Sequence, residues 1–239
     1  MDLPATRHSI IAAVRSGDAG VRRDGFETLV AVYWKPVYKY LRLKWHASSD
    51  DAKDVTQEFF VRAIEKGFFD AYDPSKSRFR TFLRLCLDRF MSNERKAAGR
   101  LKRGGGLVMV PLDFETAEGE LRHRDVAVPN DLDEYFHQEW VRSLLALAVD
   151  DLRAEYEREG KATQFQVWKR YDLDAPASAE PPTYAGVARE HGVNATDVTN
   201  YLAAARRAFR RLLLERLRAT CADEEFESEA RFLLRGGFR

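Results

Sequence analysis

Phe79-Arg-Thr-Phe-Leu-Arg-Leu-Cys-Leu-Asp-Arg-Phe90, continued by Met91-Ser-Asn-Glu-Arg-Lys-Ala-Ala-Gly-Arg-Leu-Lys-Arg103, is the stretch whose reading decides the fold. Phe79, Phe82, Leu83, Cys86, Leu87 and Phe90 fall three and four apart, which lines them along one stripe of a helix. Off that stripe the residues are polar and mostly cationic. From Lys76 to Arg103 ten Lys and Arg stand against Asp88 and Glu94, a local balance of +8 in a chain whose total is +1. A helix docked by its aromatics, with guanidinium groups over the outside, suits a polyanion, and nucleic acid is the commonest one. The competing reading is a solvated helix that happens to be basic.

Working outward, 239 residues with 45% hydrophobic and 12% aromatic content are enough for one large or two small cores. The 39 basic and 38 acidic residues nearly cancel, so the basic stretch must be balanced by acidic segments elsewhere. Cys86 and Cys221 are far apart and neither has a second thiol nearby, which fits two small packed side chains. With no export signal and no apolar run of membrane length, a cytoplasmic protein without membrane contact is expected.

Three helical segments are expected before the basic one. Arg7 to Arg15 carries Ile10, Ile11 and Val14. Phe26, Leu29, Val30, Tyr33, Val37, Tyr40 and Leu41 keep a helical period, with Pro36 either kinking the helix or dividing it. The third begins with Ser49 as N-cap and turns Ala52, Val55, Phe59 and Ala63 inward, Asp54, Gln57, Glu58 and Glu65 outward, and Gly67 closes it. Residues 1–103 therefore read as one helical domain. Gly104-Gly105-Gly106 breaks the chain, and 104–132 reads as an acidic linker, with a balance of −5 counted from Asp113 through Asp133 and Val108, Val110 and Leu112 alternating as a short extended piece. A second helical domain is expected over 133–220, and 221–239 reads as a tail with a short helix. The fold class is all-α: two helical domains joined by an acidic linker, the second ending in a helix-turn-helix.

That last motif rests on Ala188, Gly192 and Val198, a small residue at a helix crossing, a glycine for the turn and an aliphatic plug, with Asn194 placed as a cap. Thr196, Asp197, Thr199 and Asn200 are short polar groups able to reach base edges, and Arg206, Arg207, Arg210 and Arg211 suit phosphates. An ordinary helical hairpin is the alternative. Enzyme signatures are absent: there is no GxxxxGK[ST], GxGxxG or HExxH, and His8, His46, His123, His137 and His191 are scattered without metal spacing. No catalytic residue, metal or cofactor is expected.

Tyr33-Trp-Lys-Pro-Val-Tyr-Lys-Tyr-Leu-Arg42, Asp51-Ala-Lys-Asp-Val-Thr-Gln-Glu-Phe-Phe-Val-Arg62, Ser77-Arg-Phe-Arg-Thr-Phe-Leu83 and the segment from Tyr184, in that order, resemble a bacterial RNA polymerase sigma factor of the extracytoplasmic-function (ECF) group. The resemblance implies that Asp51, Asp54, Gln57 and Glu58 dock on core RNA polymerase. It implies that Arg80, Arg84, Arg89, Asn93, Lys96 and Arg100 hold the −10 promoter element, and that the helix-turn-helix reads the −35 element of promoter DNA. The acidic linker would thread a polymerase channel. Relatives often carry an asparagine where Arg89 stands. Free members of the group often bind DNA poorly, so a check is expected: the linker or terminal helix over the basic helix, an anti-sigma factor, or a regulatory kinase acting at Thr56. The rival is a stand-alone helix-turn-helix regulator with an N-terminal sensing domain.

Overall fold

A computed structural model describes residues 10–96, 112–122, 131–174 and 182–236, without the side chains of 94–96, 235 and 236. Among the described residues the α-helices are α1 (Ile10–Val14), α2 (Ala19–Lys44), α3 (Ser49–Glu65), α4 (Phe79–Lys96), α5 (Phe114–Arg122), α6 (Leu132–Arg158), α7 (Ala162–Trp168), α8 (Tyr184–His191), α9 (Ala195–Thr220) and α10 (Asp223–Gly236). A 3-10 turn spans Phe68–Ala71 and a π-helical turn Lys169–Leu173, and no strand occurs among the described residues. The described part of the chain is all-helical in class. Gly104 to Gly106, Val108, Val110 and the linker residues 123–130 lie outside the described residues.

By contact the chain divides into two compact units, Met1–Ser143 with Leu217–Arg239, and Leu144–Arg216. The division falls inside α6 and α9, so each of these helices supplies both units, and the residues after Leu217 belong with the first one.

The first unit is built on α2. Asp18 caps it, its carboxylate accepting from the backbone N–H of Gly20 and Val21 at 2.8 and 3.0 Å. Pro36 neither divides the helix nor ends it, and Ala19–Lys44 is a single helix with the proline buried. Leu29, Val30, Val32, Tyr33, Val37, Tyr38, Tyr40 and Leu41 are buried, so this helix is the core's central rod. Phe79 of α4 packs its ring edge on Tyr33 at 5.7 Å, and Phe90 meets Phe59 of α3 at the same distance. The N-cap of α3 is Ser48, one residue earlier than expected: its Oγ accepts from the Asp51 N–H at 3.1 Å, and Ser49 is the first helical residue. Gly67 closes the helix in the left-handed region at φ 60°, where a side chain is strained.

Gly25 of α2 is the point of closest approach to α1. A Cβ there would stand 2.6 Å from Ala13 Cβ and 3.1 Å from the Val14 backbone nitrogen. Gly25→Ala gains at most ~1 kcal/mol of helix propensity. Forcing packed backbones apart costs roughly 1–3 kcal/mol. The clash wins, and the expected result is a lower denaturation midpoint, measured by circular dichroism in urea.

Part of the expected linker is folded. Residues 114–122 form α5, which lies on α2 through Phe114, whose ring sits 5.3 Å from Trp34 and 5.1 Å from Tyr38. Glu118 accepts two bonds from Arg42, at 3.0 and 2.8 Å, and one from the Tyr38 hydroxyl at 2.7 Å. Glu120 accepts from Lys35 and Lys39 at 2.9 and 2.5 Å. The acidity read as that of a linker is, in α5, charge matching to Lys35, Lys39 and Arg42, which recur at helical spacing on α2.

These bonds predict acid lability of α5. The Arg42 bonds hold Glu118 below its usual range, and Thr116 does the same for Asp113. Burial pushes Glu120 up, but its bonds from Lys39 and Lys35 outweigh that, and it too is held low. Carboxyls depressed by folding leave the unfolded segment the stronger proton binder, so their stabilisation is complete above the ordinary carboxylate range and is lost as pH falls through the folded values. Fluorescence of Trp34, in a chain whose other tryptophans are Phe, should shift below about pH 4 before helical circular dichroism falls.

In the second unit α6 from Leu144, α7, α8 and α9 to Arg216 enclose Leu152, Tyr156, Phe165, Val167, Trp168, Val198, Leu202, Ala205, Phe209 and Leu213. Trp168 stacks on Phe209 at 5.2 Å.

Candidate nucleic-acid interface

The period-3.6 stripe of α4 is the buried one. Phe79, Leu83, Leu87, Phe90 and Met91 are buried, Phe82 and Cys86 half-buried. Burial raises the Cys86 thiol to about 11 and the Cys221 thiol to about 12, so neither is a reactive thiolate at neutral pH.

The cations on α4 behave differently from one another. Arg89 and Asn93 are exposed and, with Leu85, Asp88 and Ser92, line an open groove of about 500 Å³. Lys96 belongs to the last turn of α4, but its side chain, like all of Arg100, lies outside the described residues. Arg80 and Arg84 do not stand free for a strand as expected. Arg80 is 8% exposed, donates to Glu229 at 2.6 Å and lies over the Trp140 ring at 5.1 Å. Arg84 donates to Asp133 at 2.9 Å, to the Tyr40 hydroxyl at 3.1 Å and to Asp88 at 3.2 Å. Asp88 in turn accepts from Lys44, Tyr40 and Trp45. The strip therefore presents less positive charge than its composition suggests, because α6 and α10 supply counter-charges.

The acidic face of α3 stands where its period places it. Asp50, Asp51 and Asp54 are exposed, Gln57 and Glu58 half-buried, and Glu58 pairs with Arg62 at 2.5 Å. Thr56 points the other way: it is fully buried and donates to the Ala52 carbonyl at 2.7 Å, so its hydroxyl is closed to a kinase in this fold.

In the second unit, Gly192 ends α8 at φ 66° and Asn194 Oδ1 accepts from the Asp197 N–H at 2.7 Å, capping α9. Ala188 and Val198 are buried. Asp197 is drawn back into this cap, its carboxylate 3.5 Å from the Asn194 N–H, and the Thr199 hydroxyl donates to the Ala195 carbonyl. Thr196 and Asn200 are exposed beside them. Arg206 forks onto Asp172 at 2.7 and 2.9 Å and Arg211 onto Glu155 at 2.7 Å, while Arg207 and Arg210 are exposed.

The helical block of α2, α3 and α4, acidic outside on α3 and basic along α4, coincides with a family match. Residues 29–101 match Sigma-70 region 2. The match takes in α3, α4 and most of α2, and it supports a sigma-70 family factor with a role in RNA polymerase binding and transcription initiation. No curated protein and no solved structure matches the chain. No helix among the described residues is long and apolar enough to cross a membrane, and no group of His, Cys, Asp or Glu among them could hold a metal ion.

The residues that sequence reasoning missed are the acidic partners Asp133, Glu139, Glu225 and Glu229. The visible signal for Glu225 and Glu229 was acidity at helical spacing, one turn apart in α10.

Proposed function

We propose that the chain is an ECF-type sigma factor, a dissociable polymerase subunit that directs initiation through two DNA-facing modules. The observation that carries this reading is the pairing, inside the Sigma-70 region 2 match, of a helix that exposes carboxylates with a neighbouring helix that exposes Arg89 and Asn93 beside an open groove. In this reading Asp51, Asp54, Gln57 and Glu58 meet a basic surface of the polymerase. Arg89 and Asn93, with Lys96 and Arg100, hold the −10 strand, whose unpaired bases suit a groove that includes the exposed apolar Leu85 in its lining. The second unit reads the −35 element: α9 begins with a capped turn that leaves Thr196 and Asn200 exposed for base edges, with Arg207 and Arg210 for phosphates. The reading needs no catalytic residue and no cofactor.

Association with core RNA polymerase tests it. The purified chain mixed with core enzyme should co-elute with it as a stoichiometric complex in size-exclusion chromatography, and separate elution at micromolar concentrations would remove the reading's foundation.

A further inference from the structure

We propose that α10 is an internal competitor for the basic helix: Glu225 and Glu229 occupy the anion-binding groups at the start of α4, and a nucleic-acid strand engages that end only by displacing them. The proposal rests on α4 being the strand-binding helix of the reading above.

Three donor side chains converge on these two carboxylates. Glu225 accepts from the Tyr72 hydroxyl at 2.9 Å, beside the first turn of α4, where the helix dipole favours an anion. One turn on, Glu229 pairs with Arg78 at 2.7 Å and Arg80 at 2.6 Å. The Tyr72 hydroxyl and two guanidinium groups are donors of the kind a phosphate backbone uses. Arg78 is still half-exposed, its side chain 47% accessible, so an incoming strand can reach the edge of the site before α10 has left.

The way α10 is held fits exchange. Of the hydrophobic side chains described from Asp223 onward, Leu233 is buried, Phe226, Ala230 and Leu234 are half-buried, and Phe232 is 50% exposed. That is a modest apolar grip for fourteen residues. Besides ring contacts of Phe232 with His137 at 4.8 Å and of Phe226 with Arg218 at 4.1 Å, the rest of the hold is polar and ionic. A buried ion pair returns roughly what its desolvation costs, whereas leaving one partner unpaired costs several kcal/mol. Glu229 is 1% exposed and Arg80 8%, so α10 cannot simply drift off Arg80. A phosphate that takes the place of the carboxylate keeps Arg80 paired and removes that penalty. The contact is thus stable in the absence of a polyanion and replaceable in its presence.

The test uses the full chain without polymerase and a fluorescein-labelled single-stranded DNA of mixed sequence, read by anisotropy. Glu225→Gln with Glu229→Gln should bind roughly tenfold tighter than the unaltered chain, a coupling of ordinary size. Adding Arg78→Ala should remove the gain. Glu224→Gln with Glu227→Gln makes the same charge change on exposed residues of α10 and should give no such gain. Equal affinity of the Glu225/Glu229 variant and the unaltered chain, or an equal gain from the Glu224/Glu227 control, overturns the proposal. Because the first variant disturbs a buried pair, hydrogen exchange on the unaltered chain provides a second reading. Saturating DNA should strip protection from the amides of α10, and unchanged protection overturns the proposal as well. A chain that co-elutes with core polymerase but fails these tests loses the competitor and keeps the sigma-factor reading; one that does not co-elute loses the reading itself.

Discussion

Asp54→Arg together with Glu58→Arg is expected to weaken the complex with core RNA polymerase by at least about a hundredfold, because each truncated or reversed member of a docked charge pair costs roughly 2–5 kcal/mol. The rival explanation of such a loss is that α3 unfolds, and magnitudes decide against it. Asp54 is exposed and Glu58 half-buried, and the bond lost with Glu58 is a single i,i+4 pair to Arg62. Such pairs are worth about 0.2–0.5 kcal/mol, and the like-charge contact created costs a similar amount. The inward face, with Ala52, Thr56, Phe59, Phe60 and Ala63 buried, is untouched. Helical circular dichroism should therefore stay within error while co-elution with core enzyme disappears. Co-elution that survives the double reversal would mean that the carboxylates of α3 do not dock.

Lys39→Ala is expected to be the most destabilising single change in the first unit. Lys39 and Glu139 are each 1% exposed and 2.6 Å apart, with Glu120 on the same ammonium and Arg142 on the far oxygen of Glu139. Removing Lys39 takes the ammonium from the buried Glu139 carboxylate and leaves the partly exposed Glu120 beside it, which costs about 3–5 kcal/mol. Against a typical total of 5–15 kcal/mol this is a large fraction. The pair's net worth is small, however, so Lys39→Met combined with Glu139→Leu should recover most of the loss. Urea denaturation of both variants checks this: a single variant within ~1 kcal/mol of the parent, or a double variant no better than the single one, contradicts the account.

The all-helical architecture and the buried stripe of α4 were legible because both depend on local spacing, and Phe79, Leu83, Leu87 and Phe90 had to find apolar partners wherever those lay. The turn before α9 was legible for the same reason, since Gly192 and Asn194 carry their geometry with them. Pairing between distant charges was not. Arg80 looked like a free cation because its partner, Glu229, is 149 residues away, and Arg84 meets Asp133 across 49. For α5, nine residues with three acids resemble a linker unless one also knows that Lys35, Lys39 and Arg42 share a face of α2. Asp197 looked like a base-reading group because its residue type suits both base contact and capping, and the cap's geometry decides which.

The most direct test of the account is run-off transcription in vitro, with core RNA polymerase, a library of genomic fragments and the purified chain. Discrete transcripts that need both the polymerase and the chain, and that vanish with Asp54→Arg/Glu58→Arg, are the predicted result. The same transcripts with core enzyme alone, or none in the presence of the chain while a known initiation factor supports them, would contradict it.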